Sequence, residues 1–269
     1  MAMKAVLFCQ KQIGGMGKNS SIQWTGSTWN PWQGCRKVSP GCKFCYMYRD
    51  KEKYGQDPMV VHRSADATFN KPLTWKDPAM VFTCSWSDWF IEEADAWRED
   101  AWNIIKKTPH LTYQILTKRP DRIAACLPGD WGSGYQNVWI GVSAENQEMY
   151  DQRLPILASI PARIRFLSIE PLIGPIQVVT ASTHEALASG KIHWVIIGGE
   201  SGNETGRYRY RPCKVEWIQD VSDVFKLAGV PVFVKQLGTY LAKELMLRDR
   251  SGGDEQEFPT QLKLRQFPT

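Results

Sequence analysis

The sequence predicts a parallel α/β fold, a partial open barrel of the (β/α)6 type. Three observations predict it. Six short apolar runs recur along the chain, amphipathic helical patterns lie between them, and polar residues follow each run. Alternation of this kind implies βα units with right-handed crossovers, hence a barrel or an open sheet. The 269 residues are long for one domain but ordinary for an α/β barrel. A chain of this length buries enough core to need no disulfides.

The runs are residues 81–84, 113–116, 138–142, 164–169, 194–197 and 230–234. Several are apolar throughout rather than alternating, as expected of strands covered on both faces. A seventh strand is expected near residues 22–24, just ahead of a group of cysteines. Six or seven strands are too few to close an eight-stranded barrel, which is why the prediction is an open one.

Between the runs, residues 92–107 place Ala94, Trp97, Ala101, Trp102, Ile104 and Ile105 mostly on one helical face. Residues 215–227 do the same with Val215, Ile218, Val221, Val224 and Phe225, and Gly229 and Pro231 then end the helix. Residues 146–160 also read as helix, with Pro155 expected to kink or divide it. Residues 1–20 read as an extension, 21–246 as the barrel and 247–269, charged and turn-rich, as a C-terminal tail.

No window reaches the roughly 18 apolar residues of a membrane span. The start lacks a full secretory pattern, so a cytoplasmic protein without a membrane partner is expected. In a reducing compartment seven cysteines point to metal, redox or buried roles rather than disulfides. The net charge of +5 permits a nucleic-acid or nucleotide partner without demanding one.

In parallel α/β folds, function gathers in the loops after the carboxyl ends of strands. Here those loops begin Ser85-Trp86-Ser87-Asp88, Thr117-Lys118-Arg119, Ser143-Ala144-Glu145-Asn146, Ser168-Ile169-Glu170-Pro171, Gly198-Gly199-Glu200-Ser201 and Lys235-Gln236. Ser87, Ser143 and Asn146 suit helix N-caps. Glu170 and Glu200 do not, because Pro171 and Gly202 follow them, and they stand as the functional carboxylates of the rim.

The strongest local signal is Cys35, Cys42 and Cys45, spaced C-x6-C-x2-C in a loop containing Gly and Pro. Such a loop can bring three thiolates to one metal centre. Besides buried unliganded thiols, two metal readings are open from spacing alone. One is an iron–sulfur cluster with a free iron for an exogenous ligand. The other is a structural zinc, with His62 or a distant cysteine as fourth ligand. Arg36, Lys37 and Lys43 would offset thiolate charge.

A three-cysteine loop ahead of repeated βα units resembles the radical S-adenosylmethionine (SAM) superfamily. The segments TWNPWQGC, KVSPGCKFCY, QILTKRP, VWIGVSAENQ, FLSIEPLIGP, WVIIGGESG and VPVFVKQLG resemble a phage-type family of bacteria and bacteriophages, over about residues 22–238. The resemblance implies a [4Fe–4S] cluster on Cys35, Cys42 and Cys45. It also implies SAM as cosubstrate, an external electron donor and a 5′-deoxyadenosyl radical acting on substrate. The spacing departs from the superfamily's common C-x3-C-x2-C. The Gly-Gly-Glu that usually follows the second strand, where it meets the SAM amine, occurs here only at 198–200.

By that resemblance, Phe44 and Tyr46 would shield the cluster and pack on adenine. Ser87 or Asp88 would meet the SAM amine, and Ser143 and Glu145 its ribose and carboxylate. Glu170, Glu200 and Lys235, with Gln236, would line the substrate side as catalytic groups, and Lys118 and Arg119 would meet a phosphate or carboxylate. A phage setting makes nucleic acid or a nucleotide an attractive substrate, and exposed tryptophans among the 12 would stack on bases. The reading of a different class is a non-catalytic nucleic-acid- or protein-binding module with a structural zinc. A metal-independent hydrolase using Glu170 and Glu200 is a third, but it leaves the cysteine loop unexplained.

Overall fold

The computed structural model describes residues 20–269. The predicted extension therefore lies almost wholly outside the described residues. The chain runs through β1 (Ser27–Trp29), β2 (Trp32–Gln33), the cysteine loop, α1 (Tyr46–Lys53), β3 (His62–Arg63) and α2 (Asp66–Phe69). There follow β4 (Ala79–Thr83), α3 (Asp95–Lys107), β5 (Leu111–Thr117), α4 (Ile123–Cys126), β6 (Val138–Ser143) and α5 (Gln147–Ser159). The last part holds β7 (Ile164–Ile169), α6 (His184–Ala188), β8 (Trp194–Gly198), α7 (Val215–Leu227), β9 (Val232–Gln236) and α8 (Gly238–Glu244).

Seven strands form one parallel sheet in the order β1-β4-β5-β6-β7-β8-β9, curled into a half-barrel flanked by helices. Spatial order follows chain order, so every crossover leaves on the same side. The helices cover one face and the curl encloses the other. The short β2 and β3 pair antiparallel as a separate ribbon.

Period-two alternation sorts side chains between the faces. Val81, Ile115, Val142, Ile169, Ile197 and Val234 belong to the large core under the helices. Phe82, Phe166, Trp194, Ile196 and Phe233 point inward, where Trp24 joins them. These rings seal one end of the half-barrel. Phe166 lies across Gly141, where any Cβ would come within 2.5 Å of the ring. Nearer the carboxyl ends, the same inward positions turn polar.

The six predicted strands match β4 to β9 within about two residues at most ends. The seventh does not lie at 22–24. Residues 20–26 form turns, closed by Thr25 N–H on the Ile22 carbonyl and Ser20 N–H on Gly26. The strand is β1, five residues further on, paired with β4 from Ser27↔Val81 to Trp29↔Thr83. Helix α5 runs through Pro155 undivided, because Tyr150, Leu154, Leu157 and Ala158 are buried on both sides of the proline.

The predicted tail is not a separate piece. Phe258 and Leu262 enter the main core. The final residues lie along the outer edge of β9: Val234 N–H donates to Leu264 O and Gln266 N–H to Val232 O. Trp194 Nε1 donates to Gln266 O at 2.8 Å, and Phe267 stacks on the Trp194 ring. A polar stretch thereby covers the β9 edge of the sheet.

Candidate functional site

A cavity of about 750 Å³ opens where the inward strand positions turn polar. Its walls include Lys118, Ser143, Ser168, Glu170, Glu200 and Lys235 from the strand ends, together with Cys35, Cys42 and Cys45. The cysteine loop is the βα connection of the first unit, between the β1–β2 segment and α1. Gly34 turns at φ 86°, and a Cβ there would strike the Val60 carbonyl. Cys42 closes a 3-10 turn over Pro40–Cys42. Cys45 immediately precedes α1, and the backbone N–H groups of Met47 and Tyr48 point at its sulfur. Tyr48 Oη donates to the Cys35 carbonyl at 2.5 Å.

Three carboxylates from three other strand ends hold this loop. Asp88 pairs with Arg119 at 3.3 Å, and Arg119 donates to Cys35 Sγ at 3.8 Å and Arg36 O at 3.1 Å. Glu145 accepts from Gly41 N–H at 2.8 Å and pairs with Arg153 at 3.1 Å. Glu200 binds Arg211 at 2.5 Å, and Arg211 donates to Pro40 O at 2.9 Å while its guanidinium lies over the Phe44 ring.

These contacts change three expected roles. Asp88 was expected at the SAM amine, but its carboxylate already accepts from Thr117 Oγ1, Lys118 N–H and Phe90 N–H besides facing Arg119. Glu145, expected at SAM, is fully buried under the loop. Burial alone would raise its carboxyl. Lys118, hydrogen bonds from Ser39 and Gly41, and Arg153 nevertheless hold it below its ordinary value. Glu200, expected as a catalytic carboxylate, has both oxygens on Arg211. Sequence reasoning missed Arg153 and Arg211. An arginine in the apolar stripe of α5 was the signal for the first; none marked the second.

The structure does bring together Glu170 and Lys235, with Lys235 Nζ 3.1 Å from Glu170 Oε1 and Ser168 Oγ 3.3 Å from Oε2. Gly198 makes this possible, since a Cβ there would meet Glu170 Oε1 at 2.6 Å. Lys118 Nζ donates to Ser143 Oγ at 3.0 Å on the same inner surface. Phe44 and Tyr46 both line the cavity, and Tyr46 Oη donates to Ser85 O. Ser87 Oγ donates to Gly34 O at 2.6 Å, and it caps no helix. The cap of α5 is Asn146, which accepts from Met149 N–H.

None of the 12 tryptophans is exposed. The stacking argument for a nucleic-acid partner loses that support, because these rings fill cores. Only Trp24 and Trp86 reach the cavity wall. Cys213 is fully buried, and burial pushes its thiol up to about 12. His62 is exposed on the β2–β3 ribbon, away from the cavity walls. No helix among the described residues is long and apolar enough to cross a membrane.

Among the described residues, no three His, Cys, Asp or Glu side chains converge tightly enough to enclose a single metal ion. The donor set around the thiols nonetheless suits an anionic metal–sulfur group. Three thiols share one cavity with Lys118 and Arg119. Burial, then Asp88, pushes the Cys35 thiol up to about 12, and Arg119 pulls the other way. Burial also raises Cys45, against the N–H groups of Met47 and Tyr48 and the charge of Lys118. A buried thiol of this kind gives up its proton to a metal rather than to water.

Fold and site together define a class: a parallel α/β half-barrel with a cysteine loop over the polar mouth of its strands. Residues 19–262 match the model of the DUF5131 family, a protein of unknown function, and the chain belongs to that family. No curated protein and no solved structure matches it.

Proposed function

We propose that the chain is a radical SAM enzyme in which Cys35, Cys42 and Cys45 hold a [4Fe–4S] cluster. The observation that carries this reading is the convergence of three thiols from one βα loop and the polar ends of the other strands on a single cavity. When bound and reduced by an external electron donor, such a cluster supplies the electron that cleaves SAM to a 5′-deoxyadenosyl radical.

The chain's own residues account for the rest. Asp88–Arg119, Glu145–Arg153 and Glu200–Arg211 hold the loop in place from three sides. Phe44 and Tyr46 cover the loop at the cavity wall and restrict water. Lys118 and Ser143 present a cation and a hydroxyl to an anionic group. Glu170 and Lys235, fixed over Gly198, form the substrate-facing pair. Their ammonium and carboxylate can hold complementary charges or pass a proton at the substrate. The substrate is a molecule small enough for the mouth, or an end or base of a nucleic acid.

The test is iron, sulfide and zinc content after anaerobic purification, with Cys42→Ala as control. The expected result is about four irons and four sulfides per chain. Both are lost in the variant, and reduction of the loaded wild-type chain, not of the variant, cleaves SAM. One zinc without iron would overturn the proposal in favour of a zinc-stabilised binding module.

A further inference from the structure

Arg119 is a buried residue, 5% exposed. A buried cation is costly unless paired and hydrogen-bonded. Asp88 pairs with it, and Asp88 is itself oriented by Thr117 Oγ1 at 2.7 Å, Lys118 N–H at 2.9 Å and Phe90 N–H at 3.0 Å. That support leaves Arg119 a single orientation. Its remaining N–H groups reach Cys35 Sγ at 3.8 Å and Arg36 O at 3.1 Å. Its Nε faces Glu92 at 3.6 Å. One planar fork thus meets the carboxylate, the sulfur and the loop backbone together, which an ammonium cannot do.

We propose that Arg119 is a positioning and charge-setting residue for the Cys35 ligand, orienting its sulfur and raising the reduction potential of the cluster it holds. This rests on the cluster reading above. Reduction adds negative charge to the cluster. A cation and an N–H donor beside a ligand sulfur stabilise the reduced state more than the oxidised one. Asp88 acts one step further out, by fixing Arg119.

The test compares the wild-type chain with Arg119→Met and Arg119→Lys after anaerobic reconstitution with iron and sulfide. Iron per chain, melting temperature and the cluster's midpoint potential by EPR-monitored titration are measured. The expected result is a lower potential in both variants, with the larger fall in Arg119→Met and iron content retained. Arg119→Lys keeps a cation beside Asp88, so it carries the test if Arg119→Met fails to fold. A purely structural ion pair would lower the melting temperature and leave the potential unmoved, and that outcome overturns the proposal. A wild-type chain that takes up no cluster overturns the cluster reading first, and this inference falls with it.

Discussion

Glu145 shows how much one side chain carries here. It joins α5, through Arg153, to the middle of the cysteine loop, through Gly41. Removing it leaves Arg153 buried without its counter-charge. Glu145→Ala should therefore cost about 3–5 kcal/mol in urea unfolding. The glutamate carboxyl is held below its ordinary value of about 4.3. Its contribution is thus complete above that value and is lost as pH falls through the lower folded value. Between about pH 5 and pH 3 the wild type should lose more stability than Glu145→Gln, whose amide does not titrate there. Parallel acid slopes in the two chains would refute the assignment. A Cβ on Gly41 would come within 2.9 Å of the Glu145 carboxyl carbon, so the glycine is part of the same device.

At the scale of elements, the final stretch matters more than its composition suggests. Leu262 is fully buried, and residues 264–267 cover the edge of β9 and the Trp194 ring. Leu262→Ala should cost about 2–5 kcal/mol. Removing residues 264–269 should expose a parallel edge strand and give aggregates by light scattering. A monodisperse truncated chain with an unchanged melting temperature would show the segment to be dispensable. The sequence reading missed this element for a physical reason: Phe258 and Leu262 are isolated apolar residues in a polar stretch, with no period to betray them. It missed β1 likewise, since Ser27-Thr28-Trp29 makes no apolar run and is a strand only through pairing with β4. The six runs that became β4 to β9 were legible because burial on both faces leaves short, mostly apolar sequence. In the site, the cysteine spacing and the polar strand ends were legible because they are local. The Gly41–Glu145 and Pro40–Arg211 contacts join residues 104 and 171 positions apart, and only the fold brings them together.

The whole molecule separates along the axis of the half-barrel. One end of the inner face is sealed by Trp24, Phe166, Trp194 and Phe233, and the other carries the cavity with its ionic pairs. Stability and chemistry should therefore dissociate by substitution. Trp194 is fully buried among four aromatic rings of the sheet interior and touches Phe267 as well. Trp194→Ala should cost about 3–5 kcal/mol. On the proposed cluster reading, it should leave the metal content of each folded chain unchanged, because none of its aromatic contacts lies in the cysteine loop. Glu170→Gln at the mouth keeps the shape of the side chain and leaves Lys235 partly solvated. Its cost in stability should be smaller than that of Trp194→Ala, because Lys235 and Glu170 face the open cavity rather than the sealed core. On the proposed radical SAM function, iron content should also hold while turnover should fall, since the charge that faces Lys235 is gone. Urea unfolding and iron analysis on the two variants make the comparison. Loss of metal from folded Trp194→Ala, or a Glu170→Gln chain as unstable as Trp194→Ala, would mean that the sealed end and the mouth are one unit, and that the pair at the mouth serves the fold before it serves a substrate.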